Sequence, residues 1–214
     1  MENLGISKEK TKRVYEQSYV YNEGFEHGIF STFEPGTRIL PKGFQIDPKF
    51  LSLPIDIVFE KDVAVTMRDG ATIYVDVFRP TGIKLVPVII AWSPYGKSGG
   101  TAPRTTNLFD MLGLDNGMLS GLAKFEGPDP AYWCAQGYAI CNPDARGVAH
   151  SDGDIAMFGQ QEGRDCHDLI EWLAARKWCN SKVGMSGTSY LAISQWLLLL
   201  NSHLIWQPSI LAKA

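Results

Sequence analysis

The residues best suited to chemistry lie late in the chain, in Val183-Gly184-Met185-Ser186-Gly187-Thr188-Ser189-Tyr190-Leu191-Ala192. An apolar start, small residues around Gly184 and Gly187, and an apolar run after Tyr190 read as strand, sharp turn and helix. Such a turn lifts one side chain out at the top of a parallel sheet. It also aims the first free N–H groups of the helix at the same place. A serine held there can attack a carbonyl carbon if a base takes its proton. Ser189 is the candidate nucleophile; Ser186 falls at the strand end, before the turn, and is a decoy. On the local pattern alone Ser189 reads as well as a helix N-cap, a position that serine favours. The simple elbow motif G-x-S-x-G is not met, because Leu191 occupies its last glycine position.

The elements that would carry this turn can be followed upstream. Val58, Val63 and Val65 mark one strand. Ile73, Val75 and Val77 mark another, and Arg68-Asp69-Gly70 between them signals a tight antiparallel turn. Val86 to Trp92 is continuously apolar, as a strand buried on both faces should be. It runs into the loop Ser93-Pro94-Tyr95-Gly96-Lys97. Residues 98–129 form a long glycine-containing insertion, with short helices expected at Asn107–Leu114 and Met118–Ala123. Pro128-Asp129-Pro130 opens a helix that Gly137 stops, and Tyr138–Cys141 is the next buried strand. Glu162–Lys177 reads as an amphipathic helix, with Leu169, Ile170, Trp172 and Leu173 facing in and Asp165, Asp168, Glu171 and Arg176 facing out. Lys182–Met185 is a fifth strand and Tyr190–Leu200 its following helix. Strands alternating with helices imply a parallel sheet with helical crossovers. Ligands then sit beyond the carboxyl ends of the strands, where Tyr95, Asp144, His150 and Ser189 fall. Residues 1–55 read as a leader outside this sheet. They hold an expected helix at Lys8–Tyr19 and then glycines and prolines that break any long element. Residues 56–214 read as the catalytic domain.

Composition narrows the class. The 214 residues are 45% hydrophobic and 20% charged with a net charge of −3, ordinary values for a globular protein with a sizeable core. Such a charge gives no reason to invoke nucleic acid or acidic lipid. The polar N-terminus has no secretory apolar region. The longest apolar run, Leu191 to Leu200, is about half of what a bilayer needs. No membrane association and a cytoplasmic location are the expectation. Cys134, Cys141, Cys166 and Cys179 form no C-x-x-C pair or zinc spacing, so reduced buried thiols are expected. Neither a metal nor any other cofactor is expected.

A wider set of motifs decides between cap and nucleophile. It starts with Met67-Arg68-Asp69-Gly70, Thr72, Val75 and Arg79-Pro80, then Ser93-Pro94-Tyr95-Gly96-Lys97, Asp129-Pro130, Tyr132-Trp133 and Gly137-Tyr138. Asp144-Ala145-Arg146-Gly147, Ser151-Asp152-Gly153, Glu162, Asp165, Trp172 and Trp178 follow. The set closes on Val183-Gly184-Met185 and Gly187-Thr188-Ser189-Tyr190-Leu191-Ala192. In this order the motifs resemble the cocaine esterase-like and Xaa-Pro dipeptidyl-peptidase-like α/β-hydrolases, a group that includes cephalosporin acylases, over residues 57–196. The resemblance implies an α/β-hydrolase fold and a serine hydrolase cleaving esters or amides, Xaa-Pro dipeptides among them. It implies Ser189 as the acyl-forming nucleophile. The backbone N–H of Tyr190 and the phenol of Tyr95 would be the two oxyanion donors. A small-molecule or peptide acyl substrate is the implied partner; oligomeric state is not legible. Members of the group carry Gly where this chain has Ala192.

The departure from the group lies further on. In this fold the triad runs Ser, acid, His along the chain. Only 25 residues follow Ser189, with His203 and no Asp or Glu among them. His203 comes at the far end of the helix after the elbow, about 20 Å away at 1.5 Å per residue. His27 lies in the leader, His150 in a loop beside Ser151-Asp152, and His167 in mid-helix, where adjacent side chains diverge too far for a triad or metal cluster. The expected fold is therefore an α/β-hydrolase truncated after about the fifth strand and the elbow helix. The alternative to an active enzyme is a truncated, catalytically incompetent relative that lacks the acid and the His.

Overall fold

The computed structural model describes residues 32–82, 85–99, 103–113, 115–155 and 157–201. Six strands form one sheet: β1 (Gly36–Leu40), β2 (Ile57–Thr66), β3 (Thr72–Pro80), β4 (Val86–Ile90), β5 (Ala139–Pro143) and β6 (Cys179–Met185). Their order across the sheet is β1-β2-β3-β5-β4-β6. The helices are α1 (Pro103–Met111), α2 (Pro130–Ala135), α3 (Gln160–Ala174) and α4 (Tyr190–Asn201), with a 3₁₀ turn at Asn116–Met118.

β2 and β3 pair antiparallel across the expected Arg68-Asp69-Gly70 turn, which closes with the Gly70 N–H on the Met67 carbonyl at 2.9 Å. β4 then runs parallel to both β5 and β6, and β5 lies antiparallel to β3. The mixed-then-parallel sheet and the helices between its parallel strands are those of an α/β-hydrolase. The core forms on both faces. Val75, Val77, Val88, Ile90 and Val183 pack with Leu169 and Leu173 of α3 on one side. Phe59, Phe78, Ile89 and Ile140 pack with Ala131 and Cys134 of α2 on the other. That is why β5 is buried along its whole length and opens on the apolar run Ala139-Ile140-Cys141. All four cysteines are free and buried.

Four expectations need correction. Residues 1–55 do not stay wholly outside the sheet, since Gly36–Leu40 adds an outer strand antiparallel to β2. Its side chains are exposed except for Leu40, so backbone pairing holds it and no apolar alternation announces it. The first insertion helix is Pro103–Met111 and not Asn107–Leu114, with proline at the first helical position, where its missing N–H costs nothing. Met118 closes the 3₁₀ turn, and residues 119–123 after it are not helical. Gly121 there has φ +75°, and the backbone N–H and hydroxyl of Ser120 both donate to the Asp129 carboxylate, a local bond that competes with helix formation. Finally, Asp165 faces inward; it is buried against Arg146. The expected helix at Lys8–Tyr19, His27 and His203 lie outside the described residues. Among the described residues, no helix is long and apolar enough to cross a membrane.

Candidate active site

β6 ends at Met185, and the Ser186 N–H still bonds the Ile90 carbonyl of β4 at 3.2 Å. Ser186 is thus the last rung of the parallel pairing, before the turn. The backbone then turns sharply through Gly187, at φ +143°, and Ser189, at φ +53°. A left-handed conformation is costly for a serine and persists only where the surroundings impose it. Gly187 shows what imposes it. A Cβ at that position would lie 2.3 Å from Leu191 Cδ2 and 2.4 Å from Leu191 Cβ, so the first turn of α4 is packed directly onto the turn's backbone. The Leu191 and Ala192 amides find acceptors in the Thr188 and Ser189 carbonyls. The N–H of Tyr190, first residue of α4, has no acceptor within the helix. Ser189 itself is exposed.

The elbow is fastened from beneath by Glu162. Its carboxylate accepts from Trp92 Nε1 at 3.0 Å, from the Tyr190 hydroxyl at 2.9 and 3.0 Å, and from the Phe158 N–H at 2.9 Å. One buried carboxylate therefore ties the end of β4, the loop before α3, and the residue after Ser189. Burial raises the Glu162 pKa, and its three donors only partly offset that. Tyr190 is raised as well, first by burial and then by the carboxylate that its hydroxyl serves.

Tyr95 leaves the end of β4, the strand next to β6. Its ring meets Tyr190 edge-on at 5.9 Å and Phe125 at 5.3 Å. Charge holds its loop in place. The Lys97 ammonium lies 2.9 Å from Asp62 Oδ1 and 3.1 Å from Asp144 Oδ2, and the Lys97 N–H donates to Asp144 Oδ1 at 2.7 Å. Asp62 sits in an irregularity of β2, at φ +52°, with its N–H on the Asp76 carboxylate. Burial works against the Lys97 charge, but Asp144, Asp76 and Asp62 outweigh it and hold its pKa above the ordinary value. Asp76 is fully buried, and desolvation pushes it up to about 7. The loop after β5 is pinned in the same manner. Arg146 reaches the buried Asp165 through two bonds of 2.7 Å and the turn residue Asp69 through one of 3.0 Å.

Ser189, Tyr190 and Tyr95 thus gather at the carboxyl ends of β4 and β6, with Tyr95 and Tyr190 in ring contact. His150 does not join them; it stacks on Phe33 at 4.1 Å. His167 faces Arg68, at 3.1 Å from its guanidinium. Among the described residues, no hydrogen bond links either histidine to Ser189. Sequence reasoning assigned no task to Glu162, Lys97, Asp144 or Asp165. They stand in polar or glycine-containing stretches, so nothing local marks them as buried; only the partners that folding brings up do so.

The sheet order, the left-handed serine between strand and helix, and the helix N-terminus behind it are those of an α/β-hydrolase fold. The family signature of X-Pro dipeptidyl-peptidase (S15 family) matches residues 69–204, and the chain belongs to that family. It is 31% identical over 135 residues to the cocaine esterase of Rhodococcus sp., covering 63% of this chain and 20% of the esterase. A CocE/NonD family hydrolase from Staphylococcus aureus superposes with a TM-score of 0.68 at 28% identity, over 87% of this chain and 32% of that one. A stretch of 55 residues is also 54% identical to a protein of Aspergillus ustus named as an L-tyrosine:2-oxoglutarate aminotransferase, covering 26% of this chain and 10% of that protein. The chain therefore spans about a third or less of each relative's length.

Proposed function

We propose that this chain carries the nucleophile of a serine hydrolase that cleaves small ester or amide substrates, X-Pro dipeptidyl amides among them, through an acyl-Ser189 intermediate. The observation that carries the reading is the left-handed backbone of Ser189, +53° in φ, on a strand-to-helix turn where Gly187 tolerates no side chain. An ordinary N-cap serine has extended backbone and needs no such strain.

In this reading Ser189 Oγ attacks the carbonyl carbon while a base accepts the hydroxyl proton. The carbonyl oxygen becomes an oxyanion and is met by the Tyr190 N–H and the Tyr95 hydroxyl. Loss of one such donor costs about 100- to 1,000-fold in rate. Collapse of the tetrahedral intermediate expels the alcohol or amine, and water then releases the acid. Glu162 keeps Tyr190, and with it the donor N–H, in register with β4.

The test is a fluorophosphonate probe applied to the purified chain, with the adduct located by mass spectrometry. Labelling on Ser189 that disappears in Ser189→Ala, and slows in Tyr95→Phe, is the expected result. A folded protein that takes no label would sink the reading and favour a hydrolase relative without hydrolase chemistry.

A further inference from the structure

The sheet ends on β1, a strand with little on its outside. Thr37, Arg38 and Ile39 are exposed, Ile39 to 62%. Among the described residues β1 pairs with β2 alone.

Which backbone groups face the open side follows from two bonds. In an antiparallel strand the N–H and C=O of one residue face one neighbour, and those of the next residue face away. The Glu34 N–H donates to the Asp62 carboxylate of β2 at 2.7 Å, so Glu34, Gly36, Arg38 and Leu40 face β2. Independently, the Thr81 N–H donates to the Asp56 carbonyl at 3.3 Å. Asp56 thus faces β3, and Ile57 faces β1, where Leu40 is its partner. Both routes leave the N–H and C=O groups of Thr37 and Ile39 on the open edge. Pro35 and Pro41 bracket them and offer carbonyls but no N–H. Such an edge is a template for another strand. At the other end of the sheet, β6 carries Ser181 at φ +63° and an exposed Lys182, two features that blunt an edge.

A second copy of the β1 edge is complementary to the first. Placed about a two-fold axis at Thr37, the two strands run antiparallel. Thr37 exchanges two backbone bonds with Thr37 of the second copy, and each Ile39 N–H meets a Pro35 carbonyl. Arg38 then lies opposite Gly36, which has no side chain to obstruct it. It is diagonal to Glu34, within reach of a long side chain. Both charges are exposed, and the axis makes this opposite-charge contact twice. An axis at Arg38 would instead set like charges directly opposite, which is destabilising.

We propose that β1 is a self-association edge, through which two copies of this chain join their six-stranded sheets antiparallel across residues 35–39. The contact is isologous and closes on itself, so it yields a dimer and not a fibre. Five strand residues a side fall short of the about 1,200–2,000 Å² that stable complexes bury. The dimer is therefore weak and reversible. Ser189 follows β6, at the far end of the strand order, so the proposal stands apart from the hydrolase reading.

The test is sedimentation of the purified full chain from micromolar to submillimolar concentration. A monomer–dimer equilibrium is expected. Thr37→Pro removes the central N–H of the open edge and leaves the bonds to β2 in place, because Thr37 faces away from β2. It should abolish the dimer and keep the fold. Arg38→Glu should weaken association about tenfold or more. Adding Glu34→Arg should restore it, since the charges are exchanged but stay opposite. This charge series decides the matter should the proline variant fail to fold. A monomer at every concentration overturns the proposal and gives the edge to another occupant, residues 1–31 or a different chain. A dimer that persists in Thr37→Pro and is indifferent to Arg38→Glu overturns it as well.

Discussion

The loops that carry Ser189 and Tyr95 leave neighbouring parallel strands, β6 and β4, yet they are held by different forces. The backbone of the Ser189 turn is shaped by its own neighbours. Gly187 lies under Leu191 and the amides of Leu191 and Ala192 close on Thr188 and Ser189, all within four residues, and Glu162 adds a single distant tie through the Tyr190 hydroxyl. The Tyr95 loop is held from a distance. Lys97 is anchored by Asp62 and Asp144, which lie 35 and 47 residues away in the chain. The first loop stores backbone strain; the second stores buried charge. Local strain survives changes of pH and salt, whereas a buried carboxylate cluster is sensitive to proton uptake.

This contrast can be broken most forcefully at Lys97. Lys97→Met leaves Asp76 and Asp144 without the Lys97 ammonium and Asp62 with Lys61 alone, at 3.6 Å. Removing one partner of a buried pair costs about 3–5 kcal/mol, read as a lower urea midpoint. An unchanged midpoint would show that charge does not hold the Tyr95 loop.

A second test uses pH. The Asp76 pKa, ordinarily 3.8, is raised to about 7 in the folded state, so the folded protein binds that proton more tightly than the unfolded chain. The resulting stability is complete below the unfolded pKa and is lost as pH rises through the folded value. Asp76→Asn keeps an acceptor for the Asp62 N–H but cannot ionise. Its melting temperature should therefore gain on that of the wild type between about pH 4 and about pH 8. A gap that does not change with pH would place the charge sensitivity elsewhere. The elbow variant below should show no such trend.

The smallest effect expected is a gain. Ser189→Gly relieves the left-handed strain and should be about 1 kcal/mol more stable than Ser189→Ala, while neither variant takes the fluorophosphonate label. Equal stabilities would mean that the turn is not strained at this position.

Much of the fold was legible in sequence. β2, β3, β4 and β5 announced themselves because burial on one or both faces writes a pattern of period two or an unbroken apolar run. β1 did not, because four of its five side chains are exposed. The direction that Asp165 faces was misjudged for a related reason. A carboxylate on an amphipathic helix is assigned to solvent unless its cation is known, and Arg146 comes from another loop. The insertion was the least legible part. Side-chain bonds such as Ser120 to Asp129, rather than propensity, decide its shape.

By itself, the sequence determined the strand-turn-helix at residues 183–201 and the family to which it belongs. Glycine, serine and the apolar helix face act on one another within a few residues, and that interaction is written in order. Only the tertiary structure decided that Glu162 fastens Tyr190 to Trp92 and that Lys97 sits among three aspartates. Each of these joins groups far apart in the chain. A buried charge acquires its energy from what surrounds it, and only folding brings those surroundings together.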